Sequence, residues 1–279
     1  MWTLLQIELF KIFKRPRTYI AFAAIAAIVI LIQLAFYVDG ETYVQFMLQN
    51  ITDNFNVEGQ LLNGYLICYI ILQTLLIHVP LLIALVGGDM IAGEANMGTL
   101  RLLISKPISR SSLILSKFTA TGIYTLLLLL WMAFLSLLLS LLIFGANDLM
   151  IFKSEQVILL KKADVLWRYF ASFGFAAIAM TTVAALSFLL SLFAENAIGP
   201  IVTTMSVVIV CTILTSMDLP LFNVIKPYLF TSHMLGWKGF FDDPIKYDSV
   251  LRSALILLFH IVLFVGASVV IFRKKDVLS

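Results

Sequence analysis

The sequence predicts an all-α membrane protein. It places six transmembrane helices, an N-terminal interfacial helix, a short helix between spans 2 and 3, and short re-entrant or interfacial helices between spans 5 and 6. Three observations carry this. Of 279 residues, 61% are hydrophobic and only 13% charged, whereas soluble domains run near 45–50% apolar and about 25% charged. The mean hydropathy is +1.03, more apolar surface than a chain of this length hides in one core. The apolar residues also fall in evenly spread blocks, each long enough for the roughly 20 residues that cross a bilayer. A single membrane domain over 1–279 accounts for all of them.

The first segment, 1–17, reads as an amphipathic helix. Trp2, Leu5, Leu9, Ile12 and Phe13 recur at helical spacing, with Glu8, Lys11, Lys14 and Arg15 on other faces, the pattern of a helix lying in a membrane interface. Pro16 ends it. Span 1 follows at about Thr18–Tyr37. Its apolar run is too long for the core of a signal peptide and lacks a small-residue cleavage site, so it is expected to be retained. The next stretch, Val38–Gln60, is polar and acidic and carries a formal glycosylation sequon, Asn50-Ile51-Thr52.

Span 2 is expected at Leu61–Val86, with Pro80 kinking it. Span 3 is expected at Phe118–Phe144, span 4 at Val165–Phe193, span 5 at Ala197–Met217 and span 6 at Leu251–Phe272. Span 4 is rich in small residues, with Ala177, Thr181 and Ala185 on one face. That pattern permits close helix contact, and packing within the chain is favoured over a dimer seam. Between spans 3 and 4, Asn147–Asp164 reads as a loop at the interface. In 218–250, aromatic residues alternate with Pro220, Pro227 and Pro244, which cut the segment into pieces too short to span. Cys68 and Cys211 lie inside apolar runs and read as packing residues rather than a disulfide.

Lys and Arg set the orientation. With an even number of spans, one side holds Lys11, Lys14, Arg15, Arg17, Arg101, Lys106, Arg110, Lys117, Arg273, Lys274 and Lys275, eleven against eight on the other. Both termini are therefore expected in the cytoplasm. No Asp, Glu, Lys or Arg is expected deep in a span, which argues against an ion-coupled carrier. His78 and His260 are read as neutral imidazoles bonded to neighbouring helices. The charge pattern gives no reason to expect nucleic acid as a partner.

The stretch 88–117 is the most informative. Thr99 is placed to cap a short helix over Thr99–Ser105 that carries Leu100, Leu102, Leu103 and Ile104, and Pro107 stops it. Exposed apolar surface of this kind marks a binding site, and a short helix seated in a partner's groove is a common recognition mode.

This stretch resembles the signature of ABC type-2 exporter permeases. The match lies in Glu94, Gly98-Thr99-Leu100-Arg101-Leu102-Leu103, Ser105-Lys106-Pro107-Ile108-Ser109-Arg110 and Lys117. Glu8, Arg15 and Pro16 near the start and Phe272-Arg273-Lys274-Lys275-Asp276 at the end fit more weakly. The resemblance implies a permease subunit in the plasma membrane that pairs with a second permease, as homo- or heterodimer, and binds two copies of an ABC ATPase. Thr99–Ser105 would then be the coupling helix, with Glu94, Gly98, Thr99, Leu100, Arg101, Leu102, Leu103, Pro107 and Arg110 forming the ATPase-coupling surface. Glu8, Lys11 and Arg15 of the N-terminal helix would support it. The chain contains no Gly-x-x-x-x-Gly-Lys-Ser/Thr loop, so ATP and Mg would sit on the partner, and no cofactor or metal is expected on this chain. Membrane lipid is the remaining expected partner. A membrane-embedded hydrolase is the main rival, but no Gly-x-Ser-x-Gly or His-Glu-x-x-His is present. A passive channel or assembly scaffold is the other.

Overall fold

The computed structural model describes residues 2–48, 61–105, 107–153, 157–217 and 219–275. The protein is mostly helical. Among the described residues, five helices are long and apolar enough to cross a membrane: Pro16–Phe46, Arg110–Phe144, Lys162–Ser191, Ile198–Ser216 and Tyr247–Lys274. A sixth candidate is bent by 53° between Gly64–Thr74 and His78–Gly87.

Helix α1 (Trp2–Lys14) ends at Arg15, and α2 (Pro16–Leu48) starts on proline, whose missing N–H costs nothing in a first turn. The predicted end of span 1 at Tyr37 coincides with a kink at Asp39 (φ −125°, ψ 17°). The helix then resumes through Leu48, so the start of the supposed acidic loop is helical. The rest of that loop, with Asn50-Ile51-Thr52, lies outside the described residues.

Helix α3 (Gly64–Asn96) is capped by Asn63, whose side chain accepts a hydrogen bond from the Leu66 amide. Its bend precedes Pro80, where the proline ring crowds the carbonyl four residues earlier. The span expected to end at Val86 ends at Gly87 as a membrane-crossing segment, and the helix itself continues to Asn96. Gly87 and Gly88 do not break the helix; they let it approach its neighbours. A Cβ on Gly87 would lie 3.2 Å from the Ala184 carbonyl oxygen, and one on Gly88 would lie 3.1 Å from Pro200 Cβ.

The short α4 (Thr99–Ile104) follows a turn at Gly98, which takes φ +69°, a conformation that favours glycine. Helix α5 (Arg110–Ala133) then passes through a π-helical turn at Phe134–Leu139 into α6 (Ser140–Phe144). Buried Gln33 of α2 donates to the Leu135 carbonyl and to Ser140 Oγ, both at 3.0 Å. The π turn thus satisfies a polar side chain within an apolar wall.

The loop expected at 147–164 instead contains an antiparallel hairpin, β1 (Leu149–Phe152) with β2 (Val157–Leu160). It is the one departure from all-α structure among the described residues. Leu149, Ile151, Ile158 and Leu160 turn inward and are buried.

Helix α7 (Lys162–Ser191) is the central helix, packed against α3, α5, α8 (Ile198–Ser216) and α11 (Tyr247–Lys274). Of the face singled out in the sequence, Ala185 is buried while Ala177 and Thr181 are half-buried, so the closest internal packing falls on neighbouring small residues. Ala176, Ala179, Ala184 and Ala185 are fully buried, and Ser187 Oγ donates to the Ala84 carbonyl at 2.9 Å. Between α8 and α11 the chain breaks into α9 (Pro220–Asn223), a 3-10 turn (Lys226–Tyr228), α10 (Phe230–Met234) and a second 3-10 stretch (Leu235–Phe241). Trp237 and Phe241 anchor this segment in the core, stacked edge-on against Tyr69.

Candidate functional site: a charged ring beneath a short exposed helix

Glu8 of α1, Glu94 of α3 and Lys117 of α5 are buried together, with Lys11 of α1 at their edge. They close a ring. Lys11 Nζ lies 2.8 Å from Glu8 Oε1 and 2.7 Å from Glu94 Oε1. Lys117 Nζ lies 2.8 Å from Glu8 Oε2 and from Glu94 Oε2. Each carboxylate oxygen faces one ammonium, and the charges cancel. The Lys117–Glu94 contact is ionic without hydrogen-bonding direction, since Glu94 Oε2 has no directed partner. The side chains of Glu8, Glu94 and Lys117 are 3%, 4% and 1% exposed, so the ring lies outside the screening that makes surface pairs weak. Beside it, Asp89 pairs with Arg15 and Arg17, the latter at 2.8 Å.

The ring revises one expectation. Glu8 belongs to the buried face of α1 with Ile12, while Trp2 and Phe10 are exposed. Charged side chains are also buried toward the ends of the long helices: Asp89, Glu94 and Lys117 here, beyond the expected span limits, and Arg168 near the start of α7. All four are paired or bonded, which is how buried charge is tolerated. Arg168 bonds Asp164 and donates to the Phe240 and Asp242 carbonyls at 2.9 and 2.8 Å.

Burial alone would push the Glu94 carboxyl up, but the Lys117 charge and the Lys11 hydrogen bond outweigh it and hold it below its ordinary value of 4.5. Burial would pull the Lys11 ammonium down, but bonds to Glu8 and Glu94 raise it above 10.5. The stabilisation from Glu94 is present above its unfolded value and lost as pH falls through the depressed one. That from Lys11 is present below 10.5 and lost as pH rises through the raised one. Glu94 and Lys11 therefore both keep their charges through the neutral range.

Helix α4 stands over this joint. Thr99 does not cap it as expected: it is the first helical residue, and its hydroxyl donates back to the Glu94 carbonyl at 3.3 Å. The apolar residues of α4 divide. Leu100 is buried, Leu103 is half-buried against the core, and Leu102 is 67% exposed beside Met97 at 57%. The free apolar surface is thus narrower than the leucine run implies. A cleft of about 320 Å³ opens here, lined by Lys11, Arg15, Glu94, Met97, Thr99, Leu102 and Leu103. The Arg101 and Ile104 side chains and all of Lys106 lie outside the described part of the structure. Pro107 is exposed in the bend before α5.

Arg110 does not join the cleft. Its guanidinium donates to the carbonyls of Arg273 and Lys275 at 3.1 and 2.9 Å, capping the end of α11. Lys275 Nζ in turn caps α7 at the Leu192 carbonyl, 2.6 Å away. The α1, α4, α5 and α11 ends are therefore fastened together at one end of the bundle. Sequence reasoning missed the roles of Asp89, Arg17 and Lys117. Gly93 stands four residues beyond Asp89 on the same helical face, and a Cβ there would collide with the Asp89 carboxylate.

The histidines do not form a reactive centre with these groups. His78 Nδ1 and His260 Nδ1 donate to the carbonyls of Thr74 and Ile256 in their own helices, at 2.9 and 2.8 Å, not to neighbouring helices. His233 joins Ser253 Oγ at 3.1 Å and the Pro227 carbonyl at 2.9 Å, tying the 3-10 turn to α11.

The family described as "Protein of unknown function (DUF2705)" matches residues 24–278. A relative from Bacillus subtilis (strain 168), described as "Uncharacterized protein YhcI", is 26% identical over 199 residues, which covers 69% of this chain and 63% of that protein. The match thus spans less than two thirds of that relative's length.

Proposed function

The chain belongs to this family of unknown function, and from that premise we propose that it is the membrane-spanning subunit of an ATP-binding-cassette transporter, acting as an exporter. In this reading α3 is one bent span, which brings the count to six. The α1–α4 end faces the cytoplasm, both termini lie there, and the host membrane is the plasma membrane. A separate ABC ATPase, present in two copies, carries ATP and Mg, and a second permease completes the complex.

The observation that carries the reading is the placement of α4. A six-residue helix with an exposed leucine is mounted on a buried ionic ring that joins α1, α3 and α5. A loop without a partner does not need so stiff a mounting. A partner that grips Leu102 and Met97 at the cleft would move α4. The turn at Gly98 and the Thr99–Glu94 bond pass that displacement to the end of α3, and the ring passes it to α1 and α5. The motif around Glu94 and Gly98–Leu103 supports the same reading through its resemblance to type-2 exporter permeases. Neither rival gives α4 a role: a channel or scaffold needs no such lever, and a hydrolase would need its histidines free for a nucleophile.

The test is co-purification: the tagged full-length chain, drawn from its native membrane, is expected to bring down an ABC ATPase. Met97→Asp with Leu102→Asp puts charge on the exposed rim and leaves buried Leu100 untouched. The pair is expected to reduce the captured ATPase about tenfold or more, as loss of a central apolar anchor does. Full retention of the ATPase by a folded double variant overturns the assignment.

A further inference from the structure

At the end of α11 remote from the ring, a groove of about 940 Å³ separates α11 from α9 and the 3-10 turn that follows it. Its α11 wall is a single stripe, with Asp248 and Arg252 at one end, Leu255 and Phe259 beyond them, and His260 at the far end. Asp248, Arg252, Leu255 and Phe259 recur at three- and four-residue spacing, and His260 follows Arg252 and Ile256 at four-residue steps, so they share one helix face. At 1.5 Å rise per residue, Arg252 and His260 are about 12 Å apart along the helix axis. Tyr228 lines the opposite wall and is 75% exposed.

The charges at the mouth are unspent. Asp248 and Arg252 are four residues apart on α11, yet the structure shows no ion pair between them, and neither side chain has a hydrogen bond among the described residues. The far end is apolar: the His260 proton on Nδ1 is committed to Ile256, and the ring lies among Phe230, Phe259 and Phe264. A guanidinium and a carboxylate one helical turn apart, followed by an apolar track on a membrane helix, match a molecule with a phosphate, a nearby ammonium and a hydrocarbon tail.

We propose that this groove is a binding site for a phospholipid bearing a primary ammonium, with its phosphate on Arg252, its ammonium on Asp248 and an acyl chain along Leu255 and Phe259. The guanidinium presents a planar fork of donors to phosphate oxygens. The carboxylate accepts the N–H bonds that separate an ethanolamine head from a choline head, which has none to give. The site depends on the chain lying in a membrane and not on ATPase coupling, so the two readings stand or fall separately.

The experiment is native mass spectrometry of the full-length chain, delipidated in detergent and titrated with phosphatidylethanolamine, phosphatidylglycerol or phosphatidylcholine, with thermal stability measured on each variant. The wild type is expected to retain phosphatidylethanolamine in preference to phosphatidylcholine. Arg252→Gln should weaken retention of phosphatidylethanolamine and phosphatidylglycerol about tenfold, the scale of a charge-assisted hydrogen bond. Asp248→Asn should weaken phosphatidylethanolamine alone. Lys246→Gln, at an exposed position outside the groove, should change neither. Equal retention of the ethanolamine and choline lipids by the wild type overturns the proposal. So does wild-type retention by Arg252→Gln, or an equal loss with Lys246→Gln.

Discussion

Lys117→Ala is expected to destabilise the folded protein by about 3–5 kcal/mol, the range for breaking a buried ion pair from one side. Lys117 is the only ring cation that is fully buried, and it contacts an oxygen of both Glu8 and Glu94. Without it, two buried carboxylates share the single ammonium of Lys11, and the ring changes from neutral to negative. The cost comes from the uncompensated charge rather than the lost contact, so a second substitution should relieve it. Lys117→Met with Glu94→Gln restores neutrality and is expected to be more stable than Lys117→Met alone, the non-additivity of coupled sites. Denaturant unfolding in detergent measures both. A single variant within about 1 kcal/mol of wild type would mean the ring is not the joint described above.

Gly64→Ala is expected to lower stability by about 2 kcal/mol, although alanine is the better helix former by about 1 kcal/mol. A Cβ at Gly64 would lie 2.5 Å from the Ser140 carbonyl oxygen and 2.7 Å from both Cα and N of Leu141. All three are backbone atoms, so no side chain can swing away, and overpacking of this kind costs about 1–3 kcal/mol beyond any propensity gain. The clash falls where Gly64 N donates to the Gly145 carbonyl at 2.9 Å, the point that fixes the start of α3 against the end of α6. Gly122→Ala is the control, with nothing within 4 Å of its Cβ, and is expected to be neutral or slightly stabilising. A thermal midpoint for Gly64→Ala at or above wild type would contradict the packing.

The apolar helices were legible because lipid leaves a length requirement in the sequence. What surrounds them was less so, for identifiable reasons. Hydropathy locates apolar runs and not helix ends, so the continuations of α2 past Tyr37 and of α3 past Val86, which carry Asp39 and Asp89, were not read as helix. The glycines at 87 and 88 look like breakers in isolation, and only the nearness of Ala184 and Pro200 shows that they are contact points. The hairpin at 149–160 was hidden because both strands, Leu-Met-Ile-Phe and Val-Ile-Leu-Leu, are apolar on both faces and carry no period-two signal.

The candidate site was half legible. Position and composition drew attention to Thr99–Ser105, and Glu94 was singled out through its motif. The partners that bury Glu94 come from α1 and α5, separated from it by 83 residues on one side and by the α4 turn on the other. No local pattern links such residues. The leucine run also overstated the exposed surface, since a helix of six residues with one face on the core buries Leu100 and leaves Leu102 outside.

The most direct test of the account is the accessibility of one position. With Cys68 and Cys211 replaced by serine, Leu102→Cys should resist a membrane-impermeant maleimide in intact cells and react with it in inside-out vesicles. Adding the proposed partner ATPase should slow that reaction. Labelling in intact cells, or a rate in vesicles that the ATPase does not change, would contradict the claim that α4 is the face through which a nucleotide-driven partner moves this chain.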